Sequence, residues 1–409
     1  MTPQDSKTLP WFKVVLFASV PLIVLVILCE IVAGLFYGLS QGVYGFPLNI
    51  ILDRQEAAPR VYVTEWDPDT GKLRPGDYVT TTGIRYHVNE LGFRGPELRD
   101  PAPGRMRVMA LGGSTTIGLE VSDDETYPRQ LEARLRRKGL DVDVINGGFV
   151  SRALTDIKQL YFNEGLTLEP DVIVVYTNRN SALYNGAMNN NLFDLKTSQA
   201  DLMTTKVLGW LNRNVMSMRA FMAVVRRAKA SLSNAGSSSN AVSIDVGTGI
   251  LQISKKYFTE VFHAQLEDLI RHAAERGIKT VLMTQPVNLN NPEFVRRIYQ
   301  TDHQKLLQAM WSEEAYQALV NGFGIEPLPT NSRYWVLSNA LLNTAIRDVA
   351  RRTGAYLADP VADFLTPDAG KRLFTDVIHM KAAGNRILAR HLETQVACAL
   401  TNMAPAACR

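Results

Sequence analysis

The stretch RVMALGGSTTIG, Arg107 to Gly118, decides how the rest of this chain is read. Its apolar run ends in two glycines and then delivers Ser114 and two threonines, the pattern of a buried strand handing over to a helix. In an open α/β sheet such a junction lies at the carboxyl edge, where ligands bind. The first amides of the following helix point at any negative charge formed there. Taken alone, the stretch reads first as a tight turn with a helix cap. It is not a phosphate-binding loop, because no Lys follows at the required spacing.

Working outward, strand-like and helix-like periods alternate. Strands are expected at Arg107–Leu111, Val142–Ile145, Val172–Tyr176, Thr280–Met283 and Ala355–Ala358. Helices are expected at Thr126–Lys138, Ala153–Glu164, Ile253–Arg276, Leu337–Arg352 and from about Lys381 to Val396. This order implies a parallel sheet covered on both faces and joined by right-handed connections. The domain is expected over 105–409, with insertions at about 187–249 and 285–335. The first insertion carries Leu208, Leu211, Val215, Met218, Met222 and Val225 at helical spacing, followed by Arg226, Arg227 and Lys229. Such a helix either packs on its own domain or lies on lipid headgroups. The second, rich in Asn, Pro and aromatic residues, is placed to form one wall of a cleft.

The run from Val14 to Leu39 is almost unbroken apolar sequence with Glu30 as its one charge, longer than the roughly 20 residues that cross a bilayer core. It reads as a transmembrane helix over 14–39, with a cleaved signal peptide as the competing reading. Lys7 and Lys13 precede it, whereas Arg54 and Arg60 come well after it. The positive-inside rule then leaves 1–13 in the cytoplasm and puts the domain on the periplasmic or extracellular side. Glu30 either snorkels to the outer surface or meets another membrane protein. Residues 40–104 read as a connector and a small β-rich prelude, in which His87 is a surface or packing residue. Cys398 and Cys408 could close a small loop in an oxidising exterior. A formal charge of +4 on 409 residues carries no nucleic-acid footprint.

The stretch Phe374 to Met380, FTDVIHM, sets Asp376 and His379 three residues apart, just before a helix with Gly384 and Asn385 in its first turn. A short turn can present both side chains to one side, so that the carboxylate steers an imidazole acting as base. With a hydroxyl at the end of the first strand, they complete a nucleophile, base and orienter set. The set calls for no metal and no cofactor.

At this point the chain resembles the SGNH/GDSL hydrolase superfamily. Leu111 to Thr115 resembles the first of its blocks, making Ser114 the nucleophile. Val144 to Gly148 is similar to the second, which implies Gly148 as an oxyanion-hole glycine. Val174 to Ser181 is similar to the third, which implies Asn180 as the side-chain donor, and Asp376 to His379 matches the last. Gly113 stands where the first block has Asp, and Asn178 and Ser181 replace Gly and Asp in the third. The resemblance spans roughly Arg94 to Thr394 and implies a flavodoxin-like three-layer α/β/α fold with a five-stranded parallel sheet.

The expected oxyanion hole is the amides of Ser114 and Gly148 with the carboxamide of Asn180. Arg152 and Arg179, on loops at the same edge, are either solvated or attract an anionic glycan or acyl carrier. The expected activity is serine-dependent hydrolysis of O-acyl esters, carried by cell-envelope carbohydrate in one version. One alternative is an O-acetyltransferase for exported polysaccharide, with a membrane acyl-donor protein as partner. The other is a non-catalytic glycan-binding or assembly protein.

Overall fold

The computed structural model describes residues 73–80, 83–150, 152–177, 180–181, 241–245, 250–288, 292–328 and 330–408, with helical pieces at 19–20, 24–25, 27–29 and 31–32. Most of the expected transmembrane segment 14–39, the connector over 40–60, the amphipathic stretch Leu208 to Lys229, and Arg179 lie outside the described residues. Among the described residues no helix is long and apolar enough to cross a membrane. The chain divides into two units: Met1–Arg60 with Phe193–Gly236, and Val61–Leu192 with Ser237–Arg409. In the first unit only the helical pieces between Ser19 and Val32 are described.

The second unit opens with a hairpin, β1 (Gly76–Val79) and β2 (Arg85–Val88). Five parallel strands follow: β3 (Met106–Gly112), β4 (Val142–Gly148), β5 (Val172–Tyr176), β8 (Lys279–Met283) and β9 (Tyr356–Ala358). Between β5 and β8 lies an antiparallel pair, β6 (Ala241–Asp245) and β7 (Ile250–Ser254). The sheet order is β4-β3-β5-β8-β9, the flavodoxin-like order, with the first strand inside the sheet. Because side chains alternate across a strand, β3 sends Met109 and Leu111 into one core and Val108 and Ala110 into the other. Helices Leu154–Asn163, Phe262–Ala274 and Thr330–Thr353 cover the first face, and Tyr127–Arg137 and Ala382–Leu400 cover the second.

One expectation needs correction. The helix expected from Ile253 starts at Lys255, because Ile250–Ser254 pairs with β6; its first part, Tyr257–Val261, is wound more widely and runs on into the regular helix Phe262–Ala274. Short apolar runs do not distinguish strand from helix. The insertion from Gln285, for which no elements were expected, holds helices at Pro292–Gln300, His303–Trp311 and Glu313–Phe323. Its polar residues are helix punctuation: Asp302 and Ser312 accept from Lys305 N and Ala315 N, and Gly324 ends the third helix at φ 64°, as caps do.

The outer edge of β4 is shielded by the prelude, whose Arg94 bridges Asn146, and by the helix Tyr127–Arg137, whose Glu132 Oε2 accepts from Val144 N at 2.8 Å, as exposed edges require. At the other end of the chain Cys398 and Cys408 form the anticipated disulfide, ten residues apart and buried in the second core. It ties the last helix to the tail, whose Met403 carbonyl accepts from Tyr356 Oη at 2.7 Å. Removing the bond by a paired Cys398→Ala and Cys408→Ala change should cost about 3 kcal/mol through loop-closure entropy. Urea unfolding of the full chain measures this, and an unchanged midpoint would show that the tail contributes nothing to the core.

Candidate active site

The hydroxyl comes from the junction the sequence pointed to. β3 ends at Gly112, Gly113 is extended, and Ser114 opens the short helix Ser114–Ile117, which Gly118 ends at φ 72°. The elbow is tight because side chains are missing where backbones meet. A Cβ on Gly112 would lie 2.0 Å from Thr116 Oγ1, and one on Gly148 would lie 2.1 Å from Ile117 N. The short helix therefore rests directly on the ends of β3 and β4.

Arg94 holds the elbow from outside. Its guanidinium, 1% exposed, donates to the carbonyls of Ile117, Gly118 and Val121 at 2.8, 2.6 and 2.7 Å and pairs with Asp123 Oδ1 at 2.7 Å. Burial pushes this guanidinium below its ordinary value, and Asp123 opposes that shift. The prelude thus reaches the site, an involvement its turn-rich sequence did not disclose.

The imidazole arrives on a tight loop. Phe374 and Met380 bridge antiparallel, and Thr375 N donates to the His379 carbonyl at 2.9 Å. Within the loop Asp376 Oδ1 accepts from the amides of Ile378 and His379 at 2.8 and 2.7 Å, while its Oδ2 meets His379 Nδ1 at 2.7 Å. Two outside residues fix the loop. Asn288 N donates to Val377 O at 2.7 Å, and Asn385 joins Met380 O to Tyr127 N at 3.1 Å each. The ring's other nitrogen, Nε2, stands 2.8 Å from Ser114 Oγ.

Around this contact Gly113, Ser114, Thr115, Arg152, Tyr176, Thr177, Asn180, Gln285 and Ile378 line a crevice. The Asn180 carboxamide fills the space Gly113 leaves, 3.0 Å from where a Cβ would stand, and donates to Arg152 O at 3.2 Å. A larger residue at position 113 would collide with it. Ser181 is buried; its hydroxyl accepts from Leu154 N at 2.9 Å and lies 2.6 Å from Thr177 Oγ1, so it caps the helix Leu154–Asn163 from 27 residues downstream. Arg152 lines the crevice with Asp156 3.6 Å away.

Gly148 departs from its expected role as an oxyanion donor. Its N–H donates to Asn146 Oδ1 at 3.1 Å, and it does not line the crevice. It is a glycine because the Ser114 helix packs onto it. Gln285 was missed, although it is the first residue of the insertion expected to wall the cleft. Two bonds with Asn343, each of 2.9 Å, fix its backbone, and nothing local in the sequence connects residues so far apart. His87 is partly exposed and lies 2.7 Å from Asp77, a hairpin contact. Among the described residues no group of three or more His, Cys, Asp or Glu could hold a metal ion.

Half-burial works to raise the Asp376 carboxyl, but the hydrogen bonds from the His379 ring and backbone, with that from Ile378 N, overcome it and hold the group at about 2. An unfolded Asp titrates near 3.9, so the stabilisation is complete above that value and is lost as pH falls toward 2. Asp376→Asn should flatten this acid-side loss of stability and lower ester hydrolysis by about 10³ to 10⁴-fold, as loss of an imidazole-orienting carboxylate does in related chemistry. Acid titration of unfolding and steady-state rates test the two halves separately. Gly148→Ala should cost several-fold in rate and about 2 kcal/mol in stability by displacing the Ser114 helix, measurable in the same assays.

Structures similar to this one include a lipase/acylhydrolase from Enterococcus faecalis, 13% identical over 71% of this chain and 95% of its own, with a TM-score of 0.38. Another is a catalytic mutant of an acetylxylan esterase from Geobacillus stearothermophilus, 12% identical over 71% and 94%, with a TM-score of 0.33. A third is an alpha/beta hydrolase enzyme from the metagenome of Lake Arreo, Spain, 15% identical over 73% and 96%, with a TM-score of 0.37. No curated protein matches the chain. The family model for the GDSL-like lipase/acylhydrolase family matches residues 110–387, more than half of the sequence. The chain therefore belongs to the GDSL-like lipase/acylhydrolase family and is an enzyme of the esterase type.

Proposed function

We propose that this chain is a serine-dependent hydrolase of O-acyl esters on cell-envelope carbohydrate, working through an acyl-enzyme. The observation that carries the reading is the continuous chain from Asp376 Oδ2 to the His379 ring, 2.7 Å, and on to Ser114 Oγ, 2.8 Å. Such a chain lets a neutral imidazole remove the hydroxyl proton while a carboxylate holds the ring and stabilises the imidazolium.

In the first half-reaction Ser114 Oγ bonds to the ester carbonyl carbon as its proton passes to His379 Nε2. The tetrahedral oxyanion is held by the Ser114 amide and by the second amide hydrogen of Asn180, the first being directed at Arg152 O. When the carbon–oxygen bond to the alcohol breaks, His379 returns the proton to the leaving oxygen. A water then attacks the acyl carbon with His379 again as base, releasing the acid and restoring Ser114. Each oxyanion donor contributes on the order of 3 kcal/mol to barrier lowering in sites of this kind.

A location outside the cytoplasmic membrane belongs to the same proposal. The Cys398–Cys408 disulfide supports it, since such bonds persist in oxidising compartments. So does the apolar stretch 14–39, with Lys7 and Lys13 before it.

A fluorophosphonate should label the full chain once, at Ser114, and not label Ser114→Ala. Ser114→Ala and His379→Ala should each lower p-nitrophenyl acetate hydrolysis by about 10³-fold or more. Labelling elsewhere, or rates that survive both substitutions, would refute the reading. Acetylated and deacetylated polysaccharide supplied together separate hydrolysis, which releases acetate, from transfer, which conserves it on the acceptor.

A further inference from the structure

A second carboxylate faces the catalytic imidazole. Glu120 Oε1 lies 3.8 Å from His379 Nδ1, with the Glu120 side chain 18% exposed and the ring 19% exposed. Asp376, which holds the same nitrogen at 2.7 Å, is 53% exposed. The more solvent-shielded of the two anions is thus the one that makes no hydrogen bond to the ring, because 3.8 Å is beyond hydrogen-bonding reach.

The backbone keeps Glu120 there. It sits between Gly118 and Val121, and Arg94 grips the carbonyls of both at 2.6 and 2.7 Å. Among the described residues, the charged groups that act most on Glu120 are His379, Asp376 and Arg94. Arg94 is already committed to Asp123 at 2.7 Å. Among the described residues, Asp376, Glu120 and the Ser114 hydroxyl stand against the ring nitrogens.

We infer that Glu120 is a positioning residue for proton transfer, a shielded second anion that strengthens His379 as a base without orienting it. The inference rests on the Ser114–His379–Asp376 reading of the site. Asp376 fixes which ring nitrogen carries the proton and where the ring points. Glu120 adds a field that favours the imidazolium at the moment His379 takes the proton from Ser114 Oγ, when no other cation is formed. An opposite charge within about 4 to 6 Å, screened from water, acts strongly on a titrating group. Burial pushes the Glu120 carboxyl up from its ordinary value, and the attraction of His379 pulls it back. The carboxylate and the imidazolium therefore support each other.

The test is the pH dependence of kcat/KM for p-nitrophenyl acetate, measured on the full chain and on Glu120→Gln, Glu120→Asp and Ser114→Ala. The acid limb reports the free enzyme's base. Glu120→Gln should move that limb about one unit lower and reduce kcat about five-fold, with KM held within about two-fold. Glu120→Asp, which keeps the charge but withdraws it by one methylene, should move the limb the same way by a smaller amount and recover part of kcat. A side chain that only packs would lower activity without moving the limb. An unmoved limb in either folded variant, with Ser114→Ala inactive, overturns the role of Glu120 alone. Wild-type hydrolysis by Ser114→Ala overturns the reading on which it rests.

Discussion

The contact between Ser114 Oγ and His379 Nε2 joins side chains 265 residues apart in sequence, and most of the second unit's distinctive features act to hold it. A proton passes between these atoms only if strand end and return loop are fixed to within tenths of an ångström. The strand end is fixed by glycines that let the Ser114 helix rest on β4 and by the Arg94 clamp on its last carbonyls. The return loop is fixed by Asn288 and by Asn385, which also caps the helix Tyr127–Arg137 through Tyr127 N. One carboxamide thus ties the histidine loop to the helix that follows the serine elbow.

The electrostatics follow from the same packing. Asp376 stays ionised because amides and an imidazole surround its oxygens, despite the cost of partial burial. Arg94 is tolerated almost without water because four acceptors take up its donors, the condition for burying a charge. Both charges serve the elbow and the loop that meet at the hydroxyl.

The chemistry-bearing residues were the most legible. Ser114 follows a strand with a clear apolar period, and Asp376 and His379 lie close enough for one turn to present both, so local sequence carried their placement. Gly148 shows the limit of that approach. A glycine after a strand is equally suited to lend its amide to an oxyanion or to admit a neighbouring backbone, and only the approach of Ile117 reveals the latter. Asn180 and Gly113 make the complementary case, since a departure from the family pattern in one block leaves room for a side chain from another. Gln285, Arg94 and Glu120 were invisible because each acts through contacts with residues far away in sequence. The helices after Gln285 were missed because Asn, Asp, Ser and Pro mark helix ends as readily as loops.

What the amino-acid order determined by itself was the alternation of buried strands and amphipathic helices, hence a parallel sheet with helices on both faces. It also determined that a hydroxyl would sit at the end of the first strand. These depend on periodicity and on steric preferences that act over a few residues. Tertiary structure alone decided which side chains surround that hydroxyl: the crevice walls, the clamp on the elbow, the second carboxylate and the true task of Gly148. Those depend on distances between segments that meet only after the sheet has formed, and no local preference encodes them.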